Sequence, residues 1–205
     1  MATRMATIIK VALLSAATIV GQVATGHADT QPVAAPKPAQ LWQQITALEK
    51  AKSIMPGSHA LQPGSRLVDF YTTDLSNKVA TEKIKLAGSI VDVTKYPDGS
   101  LLVKNNYKKN HELGSITAML KLTGYDKANR NWVMAAYSPT GKVIAYGKVA
   151  SCDACHAFVA KSDFVFAPPP TQLLKVSIWK AFFPKQKISP TYVALLAKYP
   201  NAIIK

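Results

Sequence analysis

The chain has 205 residues, of which 48% are hydrophobic, and this is enough apolar material for one domain with a buried core. It carries 25 Lys and Arg against 11 Asp and Glu, which gives a net charge of +14. The lysines are scattered along the chain without an arginine cluster, and this pattern argues against a nucleic-acid-binding protein. A basic surface could instead dock an acidic partner, lie near an anionic membrane face or serve solubility alone.

The first 28 residues have the pattern of a secretory signal peptide. Arg4 and Lys10 precede or flank the apolar run from Val11 to Val20, and the small residues that end at Ala28 suit cleavage there. The alternative is a membrane-anchoring helix, which the short apolar run disfavours. Removal of residues 1–28 lowers the net charge from +14 to +12. We therefore expect export to the periplasm.

After the signal peptide, a short linker and one domain are predicted. Residues 29–40 are rich in Pro, Ala and Gln, which predicts a flexible linker, and the domain follows over 41–205. Apolar residues with helical spacing predict a first helix over Leu41–Lys52. Further helices are expected from Ser151, whose hydroxyl would cap the helix, and within 171–205, around Leu173, Leu174 and Ile178 and again around Tyr192.

The middle of the domain is predicted to be a sheet. Strand-forming residues and turn signals predict strands over 67–72, 88–94, 100–107, 115–123, 132–137 and 142–146. The turn at Pro97-Asp98-Gly99 would join the second and third of these strands into a hairpin. The fold class is therefore α+β, a mainly antiparallel β-sheet with flanking helices in a single domain.

The segment Cys152-Asp153-Ala154-Cys155-His156 contains the pattern Cys-x-x-Cys-His. Two thiols can add across the two vinyl groups of haem and form thioethers. On a helix, Cys155 and His156 lie three and four residues after Cys152, so all three side chains share one face and the imidazole can reach the iron. This pattern is the signature of c-type haem attachment, and it predicts one covalent haem c with His156 as axial iron ligand.

Three other interpretations of the two cysteines remain. A thioredoxin-like redox pair would require a βαβ context, whereas the preceding strands are predicted to form hairpins. A zinc site requires four ligands, and the mature chain offers only His59 and His111 besides the motif. A plain disulfide would leave His156 unexplained.

The other side of the iron is predicted to be open. No methionine or histidine follows His156 in the chain. The upstream candidates for a sixth ligand are Met55, Met119, Met134, His59 and His111. The apolar neighbours of Met119 and Met134 are typical of core packing, and both histidines lie in polar, loop-like sequence. We favour a five-coordinate iron, which can bind a small molecule.

The sequence resembles the cytochrome P-460 family and its relatives, the cytochromes c-prime-beta, from about His59 to Phe166. Five pieces carry the resemblance. In chain order they are Pro97-Asp98-Gly99-Ser100-Leu101-Leu102-Val103-Lys104, Asn131-Trp132, Tyr137, the haem motif and Lys161-Ser162-Asp163-Phe164-Val165-Phe166. It implies a β-sheet with a few helices, usually in a homodimer, and His156 as the proximal ligand.

The resemblance also implies a role for Lys104. In cytochrome P-460, a lysine that follows the Asp-Gly turn bonds covalently to the porphyrin edge, and Lys104 is at the matching position. Strand alternation places Ser100, Leu102 and Lys104 on one face, which is compatible with this role. The alternative is an ordinary surface lysine. The polar residues after Lys104 predict that the strand soon leaves the core.

Three functions follow as expectations. Relatives with the lysine bond oxidise hydroxylamine, so an enzyme would pass electrons to a periplasmic acceptor with the help of a pocket base. Relatives without the bond bind nitric oxide or carbon monoxide behind apolar distal residues. The third possibility is a simple electron carrier. The candidates for the base are Asp69, Asp92 and Glu112, and those for distal caps are Phe70 and Tyr71.

Overall fold

The computed structural model describes residues 33–59, 61–63, 71–185 and 187–204. The predicted signal peptide, 1–28, lies outside these residues. Within the described ranges, no helix is both long and apolar enough to cross a membrane.

One sheet forms the centre of the described structure, and its strands follow one another in chain order. All neighbouring strands run antiparallel. The described strands are β1 (Gln62–Pro63), β2 (Tyr71–Ser76), β3 (Leu101–Tyr107), β4 (Leu113–Lys121), β5 (Trp132–Tyr137) and β6 (Val143–Gly147). The last four agree with the predicted strands to within two residues at each end.

Helices precede, interrupt and follow the sheet. Those described are α1 (Pro38–Lys50), α2 (Lys78–Ala87), α3 (Ala150–His156), α4 (Val176–Phe182) and α5 (Pro190–Lys198). Helices therefore accompany an antiparallel sheet, and the predicted α+β class is confirmed.

The strand predicted over 88–94 is wrong. Helix α2 is preceded by Asn77, whose side chain caps the first turn, and is followed by Gly88, which has a φ of +84°. A 3-10 turn at Ile90–Asp92 follows. The apolar residues that suggested a strand, Val93 among them, instead extend the buried side of α2. The predicted hairpin is therefore wrong as well, because β3 pairs with β2 and β4.

Several predicted ends are also corrected. Helix α1 starts at Pro38, inside the segment predicted as a linker, because proline suits the first turn of a helix. Residue Val149, not Ser151, precedes α3 as its N-cap. Strand β2 runs on to Ser76, beyond the predicted end at residue 72, and residues 67–70 of that prediction lie outside the described part.

Apolar spacing predicted helices within 171–205, and the structure confirms only part of them. Leu173 and Leu174 precede α4 rather than belonging to it. Leu173 lies beside Ile203 in a parallel bridge, which ties the start of this segment to its end. Tyr192 lies in α5, as predicted.

The two faces of the sheet pack against different groups. Helix α1 covers one face, where Leu41 and Ile45 are fully buried against residues of β3, β4 and β5. On the other face, Leu102, Met119 and Met134 join a second core with α2 and the segment after α3. Alternation along each strand thus separates a purely structural face from one that remains available for a site.

Truncating the α1 contact should destabilise the protein. Leu41→Ala removes a side chain that is 0% exposed, so we expect the free energy of unfolding to fall by about 2–5 kcal/mol in urea titrations. The matched control is Leu86→Ala in α2, where the side chain is 84% exposed and the change should stay within about 0.5 kcal/mol. Equal effects of the two substitutions would contradict this packing.

Candidate functional site

A cavity of about 370 Å³ lies against the second face of the sheet. Its walls come from the sheet, from α3 and from the segment after α3. The residues that line it include all four predicted site residues, Lys104, Cys152, Cys155 and His156. The fold therefore brings one strand residue and one helix motif to the same space, although at least 48 positions separate them in the chain.

The floor of the cavity consists of two cross-strand rows. One row is apolar and runs through Leu102, Met119 and Met134 on β3, β4 and β5. The next row runs across five strands, through Asp74, Lys104, Thr117, Ala136 and Ala145. Every residue of both rows lines the cavity. The floor is thus apolar on one side and grades from charged to small residues on the other.

Helix α3 is held between two cores. Cys152 is half-buried and packs against the core of the sheet face, whereas Cys155 is 7% exposed and belongs to a cluster with Leu174 and Trp179. Because the two cysteines lie one turn apart, this double packing fixes the rotation of the helix about its axis. Both cysteines and His156 consequently face the cavity.

The imidazole of His156 has a defined hydrogen-bonding partner. Its Nδ1 lies 2.6 Å from the carbonyl oxygen of Phe164, and a carbonyl can only accept, so Nδ1 is the donor. The lone pair is then on Nε2, the nitrogen available to a metal. The ring of Phe166 meets the imidazole edge-on at 5.3 Å and restricts its rotation.

An acidic residue lies between the two cysteines of the motif. Asp153 is 6% exposed, and burial, reinforced by the charge of Asp126, raises the pKa of its carboxyl group. It faces away from the main cavity, toward a hollow lined also by Asn129 and Lys148. A carboxyl group therefore lies close behind the motif helix, on the side away from the main cavity.

Asp74 is a site residue that sequence reasoning missed. It is 8% exposed, lines the cavity and lies directly opposite Lys104 in the β2–β3 register. Its Oδ2 accepts a hydrogen bond from Ser58 at 3.2 Å. Cross-strand neighbours on one face have Cβ atoms about 5 Å apart, so the carboxylate and the amine belong to one group. Alternation along β2 would have placed Asp74 on this face, but the predicted strand ended at residue 72 and therefore did not include it.

Two of the acids predicted as pocket base, Asp92 and Glu112, are not at the cavity. Asp92 is exposed in the 3-10 turn after α2. Glu112 is exposed in the β3–β4 connection, where it pairs with Lys108 at 3.2 Å. Asp69 lies outside the described residues. The two predictions that can be compared with the structure are wrong, because neither side chain is carried on the sheet face that forms the floor.

Of the residues predicted as distal caps or sixth ligands, some lie away from the cavity and others line it. Tyr71 lies away from the cavity and packs edge-on against His111 at 4.4 Å, while Phe70 is outside the described residues. His59 and His111 are exposed. The remaining candidates for a sixth ligand, the three methionines, are buried in the core and line the cavity: Met55, Met119 and Met134.

The strand does not leave the core after Lys104, contrary to expectation. Lys104 is half-buried, and the next two residues, Asn105 and Asn106, are buried within β3. The Asn106 amide donates hydrogen bonds to the carbonyl of Lys104 at 3.3 Å and to Thr117 at 3.5 Å. Polar side chains can therefore continue the strand inside the core, where β3 and β4 supply acceptors for the Asn106 amide.

The C-terminal segment closes another side of the cavity. Leu174, Trp179 and Phe183 are part of the lining. The hydroxyl of Tyr192, which is fully buried, accepts hydrogen bonds from Leu174 N at 2.8 Å and Trp179 Nε1 at 2.9 Å, and donates to Leu174 O at 2.7 Å. This one hydroxyl holds α5 against the part of the segment that faces the cavity.

The residues of the cavity fit a c-type haem. Two thiols and an imidazole share one helix face, and an apolar floor faces them, as an iron porphyrin requires. The volume is in the range of roughly 300–1,000 Å³ that is usual for cofactor sites. Lys104 lines the same space.

Comparison with known protein families gives a match to the model of cytochrome P460 over residues 42–167. A comparison with curated proteins gives no match. The matched segment includes Lys104, Asp74 and the whole Cys-x-x-Cys-His motif, and ends before the C-terminal segment. It covers more than half of the chain and implies haem binding. The resemblance noted in the sequence is thereby confirmed, and the chain belongs to the cytochrome P460 family.

Proposed function

We propose that the protein is an exported mono-haem c-type cytochrome that oxidises hydroxylamine or a related small nitrogen compound. In this proposal Cys152 and Cys155 hold the haem by thioethers, and His156 is its axial iron ligand. The electrons pass to a periplasmic acceptor, and the strong positive charge of the chain suits an acidic one.

One observation carries the proposal. Lys104 and Asp74 are opposite each other on the sheet, and both line the cavity that Cys152, Cys155 and His156 line from the helix. Lys104 is half-buried at the cavity wall, within cross-strand reach of a carboxylate. A lysine that bonds to the porphyrin edge must be there.

Each residue has a distinct task in this proposal. The bound haem would supply an iron centre that receives electrons from the nitrogen compound. His156 donates a hydrogen bond from Nδ1 to the carbonyl of Phe164, and this bond increases the electron donation of Nε2 toward a metal. Lys104 modifies the ring. Because oxidation of hydroxylamine releases protons as well as electrons, Asp74 is the proton acceptor, and Ser58 orients its carboxylate.

A second function is favoured by a different observation. Leu102, Met119 and Met134 make half of the floor apolar, and Ala136 and Ala145 leave room above it. Such a surface suits nitric oxide or carbon monoxide, bound without turnover.

The third candidate is a simple electron carrier. It would require one of the methionines at the cavity wall to bind the iron, and carbon monoxide would then bind poorly to the reduced protein.

Attachment of the haem can be tested with the cysteines. Replacement of both Cys152 and Cys155 by Ala in a Lys104→Ala background, which removes the proposed ring bond, should leave a protein whose haem is extracted by acidified acetone, whereas Lys104→Ala alone should keep its colour. The control is Ser151→Ala, which changes a cavity residue without a thiol. Covalent haem in the variant that lacks Cys152, Cys155 and Lys104 would refute the assignment.

The role of Lys104 is expected to appear in absorption spectra. The ferrous protein should show a band far to the red of ordinary c-type haem and an abnormal pyridine haemochrome. Lys104→Ala should restore an ordinary spectrum with the thioethers intact, and Lys108→Ala, which changes an exposed lysine beyond the end of the same strand, should not. An ordinary spectrum in the parent protein would exclude the cross-link and favour the nitric oxide or carbon monoxide binder.

Asp74→Asn is expected to slow hydroxylamine-dependent reduction of an added electron acceptor by about 10²–10⁴-fold in kcat, the usual contribution of a general base. The matched control is Glu112→Gln, because this acid is exposed and distant from the cavity lining. Ser58→Ala should have a smaller effect in the same direction. Full activity in Asp74→Asn would remove the carboxylate from the mechanism, and no turnover in the parent would reject the enzyme.

A further inference from the structure

A buried ion pair lies behind the candidate haem site. Nζ of Lys121, at the end of β4, is 2.8 Å and 2.7 Å from the two carboxylate oxygens of Asp163. The two side chains are 4% and 1% exposed. Burial lowers the pKa of the Lys121 ammonium, and the carboxylate of Asp163 opposes that shift. Since desolvation offsets most of the attraction in such pairs, stability alone does not explain this one.

The backbone at Asp163 is held at several further points. Oδ2 accepts a hydrogen bond from Tyr96 N at 2.6 Å, and the Asp163 carbonyl accepts one from Trp132 Nε1 at 2.7 Å. Lys121 also donates to the carbonyl of Arg130 at 2.6 Å. Asp163 thus joins the segment after α3 to β4 and to the loop before β3 through its carboxylate, and to β5 through its carbonyl.

These bonds hold an unfavourable backbone conformation. Asp163 and Phe164 are consecutive left-handed residues, with φ of +53° and +69°. An aspartate tolerates this region, but a phenylalanine rarely adopts it, and such residues persist only where surrounding contacts determine them. Phe164 is itself 6% exposed in the core beside the cavity.

The conformation has a direct consequence for His156. It turns the carbonyl of Phe164 back toward α3, where the carbonyl oxygen accepts a hydrogen bond from Nδ1 of His156. The two atoms are 2.6 Å apart. A strong acceptor on Nδ1 makes the imidazole a better electron donor through Nε2 and favours the ferric state of a bound iron.

We propose that the ion pair of Lys121 and Asp163 is a positioning device for the proximal histidine. It holds Phe164 in the conformation that keeps the His156 hydrogen bond short, and so it lowers the reduction potential of the haem. The inference rests on the proposed role of His156 as iron ligand.

The test uses the haem-containing protein and two measurements that do not depend on turnover. These are the iron–histidine stretching band of the ferrous protein in resonance Raman spectra, and the midpoint potential. In the double variant Lys121→Met with Asp163→Asn, no buried charge is left unpaired, and Asn tolerates the left-handed backbone. We expect the band to shift to lower frequency and the potential to rise. Trp132→Phe, which removes one anchor and no charge, should shift both in the same direction by less.

A matched control separates positioning from general loosening. Leu41→Ala destabilises the opposite face of the sheet and should leave band and potential unchanged. Wild-type values in both the double variant and Trp132→Phe would overturn the inference, and so would an equal shift in Leu41→Ala. Absence of any iron–histidine band in the parent protein would instead reject His156 as ligand, and with it the proposed function.

Discussion

The register of β2, β3, β4 and β5 is the constraint on which the site depends. Side chains of a strand alternate between faces, so a slip of one residue in any pairing would exchange the cavity floor for the core under α1. In the observed register Asp74, Lys104 and Thr117 form one row on the cavity face. The full burial of Leu41 and Ile45 on the other face makes such a slip costly, because it would put polar side chains against α1.

A second constraint comes from the segment between α3 and α4. The motif helix has only seven residues, too short to be stable alone, so its orientation is imposed by what packs on it. The core of the sheet face holds Cys152, and the C-terminal cluster holds Cys155. Asp163 then fixes the acceptor for His156. Three parts of the chain therefore act together on three side chains of one helical turn.

The C-terminal segment contributes to the site from outside the matched range. The match to the cytochrome P460 family ends at residue 167, yet Leu174, Trp179 and Phe183 beyond it line the cavity. The segment is closed on itself by the Leu173–Ile203 bridge and by the buried hydroxyl of Tyr192. Aromatic side chains at this wall make the site smaller and less polar than the family-matched residues would by themselves.

The sequence alone determined what depends on local pattern. The Cys-x-x-Cys-His motif and the apolar runs of β4 and β5 are local signals, so Cys152, Cys155, His156 and most of the sheet could be predicted from them, whereas Lys104 was implied by the family resemblance. A resemblance carried by short motifs was also sufficient for the family.

Tertiary structure decided what depends on partners distant in the chain. The run after Gly88 is apolar because α2 and the turn that follows are buried, and periodicity cannot distinguish such burial from a strand. Asp74 became a site residue only through its pairing with β3, whereas Asp92 and Glu112 are equally acidic but are carried elsewhere. Lys121 and Asp163 are 42 positions apart in the chain. No local pattern could predict their pairing, because a buried charge is stable only beside an opposite charge that the tertiary fold brings to it.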